Sequence, residues 1–522
     1  MTNTTFEIIH STLPDTKRIL VEQSGVRAPE EEIDKPRSNC GIVGVYGHPV
    51  ASTLVYYGLH ALQHRGQEAS GIASCYQGKN GTKHSNLRVH KAPGLVTEVF
   101  HDQNILQEHL IGDVAIGHNR YSTTGSNNLV NIQPFMVNYK DGQLAVAHNG
   151  NLTNTSELRD RLEEEGTIFQ TSTDTEVLLH LTARSKAKTA HLRIMEALNT
   201  AKGAFSVLML HGDTMIAARD PHGFRPLCLG KLDGAWVVAS ETCALDIIRA
   251  QYVRDVEPGE VLFFERSDDA VQEPIQYWLD EKPAQHRHCI FEFIYFSRPD
   301  SKIFSENVDK VRRKLGKVLA EESPVIPDGD EPVIVMSVPD SSNTASIGFV
   351  RTLQKKGHDV RFEIGLIRSH YIGRTFIQPG QEKRQMNVRL KFNTVKGVLK
   401  GRKVVVIDDS IVRGTTSKLL IDIIREAEPK ELHVRITSPP ITHPCVYGMD
   451  FPSRRELIAV QCDSDVEKIR EELHADSLAY LSIEKMLSTV SCEGKKNYCT
   501  ACFSGEYPIP MQSETRKDEH EV

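Results

Sequence analysis

The chain lacks long hydrophobic stretches, is poor in aromatic residues and carries little net charge of either sign. Only 7% of its 522 residues are aromatic. Its longest apolar runs, Val404–Ile407 and Ala235–Ala239, are far shorter than the roughly 20 residues that a transmembrane helix needs. The net charge is −7, from 62 basic and 69 acidic residues, and no long basic stripe occurs. Nucleic acid and membrane surfaces are therefore not expected as main partners.

Residues 1–39 show neither a secretory signal nor an acid-poor transit peptide. They contain seven acidic and five basic residues and no continuous apolar segment. We interpret them as a disordered arm and predict a cytoplasmic protein. A chain of this length does not depend on disulfides, so its ten cysteines are expected to be thiols, some with metal-binding or catalytic roles.

Two regions with different patterns of apolar and polar residues follow this arm. Residues 40–275 alternate short apolar runs, such as the predicted strands Ile42–Tyr46 and Val114–His118, with Gly, Pro and Asn. Helical patterns occur at Thr175–Ser185 and His191–Thr200. Such a pattern predicts layered sheets with helices packed outside. Residues 273–288, rich in Pro, Gln and charge, are interpreted as a linker.

Residues 289–487 alternate strand-like and helix-like segments, which predicts a parallel α/β sheet. The predicted strands of this region are Pro332–Pro339, Arg402–Asp408, Leu432–Thr437 and Leu457–Cys462. A cysteine-bearing segment, residues 488–510, is expected to pack on this domain. The polar residues 511–522 are expected to form a flexible tail.

The sharpest local signal is the segment Val404–Ser417. An apolar strand ends in Asp408 and Asp409, and a loop rich in Gly, Thr and Ser then precedes a helix predicted over Lys418–Glu428. Backbone N–H groups at a helix N-terminus can hold phosphate, and ligands of open α/β sheets lie at the carboxyl ends of strands. The paired carboxylates can bind a diol or Mg²⁺, although an isolated Asp-Asp pair more often marks an ordinary turn.

This segment resembles the phosphoribosyl pyrophosphate (PRPP) loop of type I phosphoribosyltransferases, in the form typical of the glutamine PRPP amidotransferase family. Tyr371–Ile377, continuing to Lys391 and Asn393, is similar to the flexible loop of that family, and Val338–Ser341 is similar to its strand end near pyrophosphate. The resemblance implies Mg²⁺ contacts from Ser341, Asp408 and Asp409. It implies PRPP contacts from Asp408, Asp409, Ser410, Arg413, Gly414, Thr415, Thr416, Ser417, Arg374 and Lys391.

Five motifs in the first region indicate a second site. They are Cys40–Gly44, His64–Glu68, Gly117–Thr123, Ala147–Asn151 and Ser172–Glu176. A single Cys opening an apolar strand is more often a buried core thiol, but the set in this order resembles the class II, N-terminal-nucleophile glutaminase domain. The resemblance implies a four-layer αββα fold.

The same resemblance assigns roles in amide hydrolysis. Cys40 would be the nucleophile, with its own α-amino group as the base, because a free α-amine has a pKa of about 7.7–8.0. This requires removal of residues 1–39, which makes them a propeptide by hypothesis. Asn149 and Gly150 would form the oxyanion hole. Arg120 would pair with the α-carboxylate of glutamine and Asp174 with its α-ammonium group.

A third feature is the CxxC pair Cys499 and Cys502. By itself it fits a redox pair, half of a zinc site or chance. The family resemblance adds Cys289 and Cys445 and implies a structural [4Fe–4S] cluster. Spacing alone leaves an all-cysteine zinc site open, since both groups bind four thiolates.

The whole pattern, over roughly residues 40–510, implies a glutamine amidotransferase that forms 5-phosphoribosylamine from PRPP, the first committed step of de novo purine synthesis. The family also implies a homotetramer that purine nucleotides inhibit. Two alternatives stay open at this point. One is a glutaminase with another acceptor, as in glucosamine-6-phosphate synthase or asparagine synthetase. The other is a PRPP-sensing regulator without turnover.

Overall fold

The structure, a computed structural model, describes residues 40–76, 86–121, 129–267, 270–283, 285–369, 388–491 and 497–510. The predicted N-terminal arm, the flexible tail, Arg374 and most of the loop that follows Tyr371 lie outside these described residues. The predicted domain boundaries stay predictions.

The first part of the chain forms two antiparallel sheets. Its strands are β1 Gly41–Tyr46, β2 Ala69–Tyr76, β3 Asn86–Pro93, β4 Val114–Arg120, β5 Phe135–Tyr139, β6 Gly142–Leu152, β7 Gly203–His211, β8 Thr214–Arg219, β9 Cys228–Leu232, β10 Ala235–Ala239, β11 Gln251–Asp255, β12 Glu260–Phe264, β13 Arg266–Ser267, β14 Ala270–Val271 and β15 Ile275–Trp278. Within the described ranges, the larger sheet has the order β11-β9-β10-β1-β4-β2-β3 and the other the order β15-β12-β8-β7-β6-β5.

Helices cover the outer faces of both sheets. They are α1 Ala51–Ala61, α2 Val96–Val99, α3 Thr155–Glu164, α4 Thr175–Arg184, α5 Ala190–Thr200 and α6 Thr242–Ile247, with a π-helix at Ile105–His109 and a 3₁₀ helix at Leu129–Asn131. Buried side chains such as Ile116 and Leu208 fill the space between the sheets. Helix α1 packs on the first sheet, and α4 and α5 pack on the second. The predicted αββα layering is therefore confirmed.

The second part contains a parallel sheet of order β20-β19-β23-β24-β25. The strands are β16 His288–Cys289, β17 Lys302–Ile303, β18 Glu306–Asn307, β19 Val333–Ser337, β20 Val360–Phe362, β21 Leu366–Arg368, β22 Phe392–Thr394, β23 Lys403–Asp408, β24 Glu431–Ile436, β25 Ser477–Tyr480 and β26 Tyr498–Cys499. The helices are α7 Val308–Glu322, α8 Asn343–Lys355, α9 Lys396–Leu399, α10 Thr415–Arg425, α11 Ile458–Gln461, α12 Val466–Glu472, α13 Ile483–Leu487 and α14 Ala501–Ser504, with a π-helix at Glu292–Phe296 and a 3₁₀ helix at Arg454–Glu456.

Apolar clusters lie on both faces of this parallel sheet. Leu315 of α7 and Phe349 of α8 belong to one cluster, and Leu420 and Ile424 of α10 belong to the other. The predicted α/β class is confirmed. Each helix in the described ranges is too short or too polar to cross a lipid bilayer.

Three local predictions are wrong. Leu457–Cys462 contains helix α11 instead of a strand, because a short apolar run does not distinguish the two by periodicity. Ile275–Trp278, inside the predicted linker, pairs as strand β15 with β12. The helix after the phosphate loop is capped by Gly414 and begins at Thr415, so the Thr and Ser residues lie in its first turn.

Candidate active sites

Strand pairing brings Cys40 and Arg120 together. In the larger sheet, Gly41 of β1 lies opposite Asn119 of β4, which places Cys40 beside the end of β4. Cys40 is 6% exposed, and its Sγ donates to the Tyr121 carbonyl oxygen at 3.4 Å. The first predicted motif and the third therefore meet at one end of the sheet.

The His64–Glu68 motif packs directly on Arg120. The amide of Glu68 donates to the Arg120 carbonyl oxygen at 3.2 Å. A Cβ at Gly66 would lie 2.7 Å from both the carbonyl carbon and the oxygen of Arg120, so the chain passes closely enough to require glycine. This explains why a Gly follows the buried Arg65 in the motif.

The second sheet contributes Asn149 and Gly150 from β6. His118 of β4 contacts the His148 carbonyl oxygen at 3.1 Å through Nε2, which links the two sheets next to Cys40. Burial lowers the pKa of His118 to about 3, so this ring is neutral at physiological pH. The fourth motif thereby faces the first across the space between the sheets.

Asn149 is the most informative side chain of this site. It is fully buried, and among the described residues neither its Oδ1 nor its Nδ2 has a hydrogen-bond partner. Leaving a buried polar group unpaired costs about 1–3 kcal/mol. Such an amide is expected where a ligand supplies the missing partner.

Gly150 has a φ of +151°, and a Cβ there would overlap the Ala204 carbonyl oxygen of the neighbouring strand β7. A side chain at this position would therefore force strands β6 and β7 apart. The close approach of the two strands therefore requires glycine at this position.

Asp174 is held as a carboxylate at the start of α4. Its Oδ2 accepts from the Leu152 amide at 2.9 Å and lies 3.6 Å from His148 Nδ1, and its Oδ1 accepts from the Thr175 hydroxyl at 3.2 Å. Burial raises the pKa of Asp174, but His148 and these hydrogen bonds outweigh burial and lower it overall. Asp174 thus stays a buried carboxylate, which suits an ammonium ligand.

The thiol of Cys40 is not ionised by its surroundings alone. Burial raises its pKa to about 11; Arg120 acts against this, and the carboxylates of Glu68 and Asp174 add to it. A thiolate at neutral pH therefore needs a base at the site.

The second site lies at the carboxyl ends of β19 and β23. Asp408 and Asp409 are 4% and 1% exposed. Ser341 donates from its Oγ to Asp409, and Ser342 donates to Asp408 Oδ1 at 3.3 Å. Ser410 donates to Asp409 Oδ1 at 2.7 Å. The structure therefore brings together the three predicted magnesium ligands.

The predicted phosphate loop surrounds the N-terminus of helix α10. Gly414 has a φ of +81°, and a Cβ there would overlap the Ile458 side chain. Thr415, Thr416 and Ser417 follow in the first turn. Arg413 donates to Glu456 Oε1 at 3.0 and 3.1 Å, so its guanidinium points toward that carboxylate. The carbonyl oxygen of Lys391 accepts from the Ser369 amide at 2.8 Å.

Sequence reasoning missed Arg312 beside this site. Arg312 is 2% exposed and donates to the carbonyl oxygens of Phe293, Tyr295 and Ser297, each at 2.8 Å. Burial lowers its pKa to about 10, and the nearby Asp409 acts in the opposite direction. The sequence feature that could have identified Arg312 is a basic residue on the apolar face of α7, one turn before Leu315.

The four predicted cluster cysteines converge from three segments. Parallel pairing of β16 with β26 sets Cys289 opposite Cys499, and the Cys502 carbonyl oxygen accepts from the His443 amide at 3.1 Å, two residues before Cys445. Burial raises the pKa of Cys289 to about 12, and the neighbouring Cys445 raises it further. The thiols are therefore close enough to influence one another.

Backbone amides also reach these sulfurs. The Sγ of Cys445 accepts from the Tyr447 amide at 3.3 Å. In the described part of the chain, no group of three or more His, Cys, Asp or Glu side chains has the tight arrangement of a metal-ion site. Both a zinc ion and a [4Fe–4S] cluster are held by four thiolates, and this set of cysteines supplies four.

Comparisons with known proteins identify the family of the chain. A family model described as a glutamine amidotransferase domain matches residues 118–246. "Amidophosphoribosyltransferase 2, chloroplastic" of Arabidopsis thaliana is 48% identical over 93% of this chain and 82% of the relative. The amidophosphoribosyltransferase of Bacillus subtilis is 45% identical over 93% of this chain and 97% of the relative.

Two solved structures match nearly the whole chain. One, described as the allosteric regulatory enzyme of purine biosynthesis, has a TM-score of 0.82 at 44% identity and covers 91% of this chain and 98% of the other. The second, glutamine PRPP amidotransferase from B. subtilis complexed with ADP and GMP, has a TM-score of 0.81 at 44% identity and covers 91% and 99%. The chain belongs to the amidophosphoribosyltransferase family of purine biosynthesis.

Proposed function

We propose that this chain forms 5-phosphoribosylamine, glutamate and pyrophosphate from PRPP, glutamine and water, using Cys40 at one site and the Asp408–Asp409 pair at the other. The observation that carries the proposal is the buried Asn149 carboxamide, which has no partner among the described residues. It follows His148, whose carbonyl oxygen contacts His118 in the sheet that begins after Cys40. An amide-binding site of this kind, in one chain with a phosphoribosyl site, suits transfer of ammonia between the two.

In the first half-reaction, the Cys40 sulfur attacks the side-chain amide carbon of glutamine. Asn149 Nδ2 and the Gly150 amide donate to the developing oxyanion, while Arg120 and Asp174 hold the α-carboxylate and the α-ammonium group. Collapse of the tetrahedral intermediate releases ammonia and leaves a thioester. Water then hydrolyses the thioester to glutamate and restores the thiol.

The base for Cys40 is the α-amino group of the same residue. An amide-bonded nitrogen has no such basicity, so residues 1–39 must be removed before the site works. The raised pKa of the buried thiol supports the need for a base this close. Mass spectrometry of active protein is expected to find residue 40 at the N-terminus.

In the second half-reaction, ammonia displaces pyrophosphate from C1 of PRPP. Asp408 and Asp409 hold the ribose hydroxyls, and the loop Arg413–Ser417 with the N-terminus of α10 holds the 5-phosphate. Arg374 and Lys391 would contribute from the flexible loop. Mg²⁺ held by Ser341, Asp408 and Asp409 would supply charge neutralisation for the pyrophosphate, and one or two carboxylates with substrate oxygens suffice for such an ion.

We also propose the iron–sulfur type, with a [4Fe–4S] cluster on Cys289, Cys445, Cys499 and Cys502. Four thiols from three segments, two of them buried and two half-buried, and the Tyr447 amide that donates to Cys445 support this. The cluster would tie the C-terminal segment to the second domain and would have a structural role, since neither half-reaction transfers electrons.

Partners and location follow the family. ADP and GMP occupy the B. subtilis relative, which supports purine nucleotides as inhibitors of this chain too. We propose a homotetramer. Plant relatives are named as chloroplastic; for this chain we propose a cytoplasmic location.

Asn149→Ala is expected to lower kcat for glutamine hydrolysis about 100-fold, because one oxyanion donor is lost. The matched control is Asn138→Ala, which removes an exposed amide from β5. Steady-state glutamate release checks the result. Equal rates for Asn149→Ala and the control would contradict the assigned role.

Asp409→Asn is expected to lower pyrophosphate release from PRPP at least about tenfold, because a charge-assisted contact to Mg²⁺ and ribose is weakened. Asp422→Asn serves as the control, since that carboxylate lies on the exposed side of α10. Pyrophosphate release with ammonia as the nitrogen donor isolates this site from glutamine. A normal rate in Asp409→Asn would exclude the proposed contact.

The proposed function is tested by replacing glutamine with an ammonium salt. Wild-type protein is expected to release pyrophosphate from PRPP and Mg²⁺ with either nitrogen source. If neither nitrogen source supports pyrophosphate release although PRPP binds tightly, this result would favour a PRPP sensor without enzymatic activity. Glutamate release without any use of PRPP would favour another acceptor.

A further inference from the structure

The loop Val446–Gly448 of the second domain lies directly against the oxyanion strand of the first. Asn151 donates from Nδ2 to the Val446 carbonyl oxygen at 3.0 Å. Two residues further along, Gly448 lies against the backbone of Gly150. The proposed oxyanion glycine is therefore contacted from the phosphoribosyl half of the molecule.

The contact at Gly448 is between two backbones, with no side chain separating them. A Cβ at Gly448 would lie 2.7 Å from the carbonyl carbon of Gly150, 2.8 Å from its oxygen and 3.0 Å from its Cα. Gly448 also has a φ of +92°. Because Gly150 is closed on its other side by Ala204, any side chain at residue 448 has to displace Gly150 itself.

The loop is held firmly enough to act as a support. Arg225, which is fully buried, donates from Nε to the Tyr447 carbonyl oxygen at 3.1 Å and also from Nη2. The Tyr447 ring is 2% exposed and stacks on Phe224, with centroids 4.2 Å apart and planes at 17°. Ala204, which backs Gly150, belongs to the same apolar cluster.

We infer that Gly448 is a positioning residue for the oxyanion hole, and that Arg225 and Tyr447 fix the loop that presents it. The inference rests on the proposed function, since it assumes that the Gly150 amide donates to the oxyanion. An oxyanion donor has to be held within about 0.5 Å of its productive position, and losing one costs about 10²–10³ in kcat. The geometry of amide hydrolysis is therefore set partly by a residue of the other domain.

The test is Gly448→Ala, with Gly357→Ala as the matched control. Gly357 has a φ of +86°, so alanine there meets similar backbone strain, but a Cβ would meet no described atom within 4 Å. Each variant is assayed for glutamine-dependent and ammonia-dependent phosphoribosylamine formation, and KM for glutamine is measured separately from kcat.

Gly448→Ala is expected to lower the glutamine-dependent kcat at least about tenfold. Its KM for glutamine and its ammonia-dependent rate should stay within about twofold of wild type, because substrate binding and the phosphoribosyl site are untouched. Gly357→Ala is expected to resemble wild type in all three quantities.

Several results would overturn the inference. An equal fall in the glutamine-dependent and ammonia-dependent rates would mean that Gly448 supports the fold and not the oxyanion hole. An unchanged glutamine-dependent kcat would mean that Gly150 is not displaced. If Gly448→Ala does not fold, Asn151→Ala replaces it, because this variant loses the hydrogen bond to the Val446 carbonyl oxygen. The ratio of the glutamine-dependent to the ammonia-dependent rate then distinguishes the same outcomes. Failure of the proposed function is recognised separately, because wild type would then lack PRPP-dependent glutamate release.

Discussion

Replacing Cys40 with alanine is expected to lower glutamine-dependent synthesis by about 10⁴-fold or more, because covalent catalysis loses its nucleophile. Ammonia-dependent synthesis should stay near the wild-type rate, since the second site does not contain Cys40. Parallel assays of phosphoribosylamine formation with glutamine and with ammonium salt give the comparison directly.

The control for this prediction is Cys228→Ala. Cys228 is another buried thiol, 2% exposed, whose pKa burial also raises, but it lies in β9 away from the motifs. Its removal should leave both rates close to wild type. Substantial glutamine-dependent activity in Cys40→Ala, or its loss in Cys228→Ala alone, would contradict the assignment of the nucleophile.

Replacing Glu292 with glutamine is expected to destabilise the protein by about 3–5 kcal/mol, the usual cost of leaving a buried charge without its partner. Glu292 is fully buried and accepts from Arg65 and Arg225, both also fully buried. Burial lowers the pKa of Arg65, but Glu292 and Glu241 raise it overall. The Arg65 cation persists in the variant because Glu241 remains and a guanidinium is not deprotonated in proteins.

Thermal unfolding measures this effect. Glu321→Gln is the control, because Glu321 is an exposed partner of Lys317 at 3.9 Å and is expected to contribute less than about 1 kcal/mol. A melting temperature of Glu292→Gln as high as that of Glu321→Gln would show that the buried network contributes no more than a surface pair.

The local pattern of apolar residues was enough to predict the type and position of most elements that carry the two sites. The runs Ile42–Tyr46 and Val114–His118 lie within β1 and β4, and Arg402–Asp408 matches β23 within one residue. These strands are apolar for most of their length and end at Gly, Asn or Asp residues, so both type and position follow from sequence. The strand prediction for Leu457–Cys462 is wrong because the few apolar residues of this segment fit a short helix equally well.

What sequence could not supply is contact between residues far apart in the chain. Arg65 meets Glu292, and Gly150 meets Gly448, across separations of hundreds of residues. No local pattern distinguishes Glu292 from a surface carboxylate or Gly448 from an ordinary turn glycine. The roles of both emerge from burial and backbone proximity alone.

Buried hydrogen bonds of this kind also connect the two domains. Arg225 of the first domain donates both to Glu292, in the π-helix Glu292–Phe296, and to Tyr447 in the loop before Gly448. A buried cation thus fixes two segments of the second domain at once.

Transfer of nitrogen from glutamine to PRPP by one chain is tested by measuring glutamate and pyrophosphate together in one reaction. Purified, anaerobically handled protein is given glutamine and Mg²⁺, with and without PRPP. We expect glutamate release to depend on PRPP, and glutamate and pyrophosphate to appear in equal amounts. Glutamate release at the same rate without PRPP, or pyrophosphate release unrelated to glutamate, would contradict it.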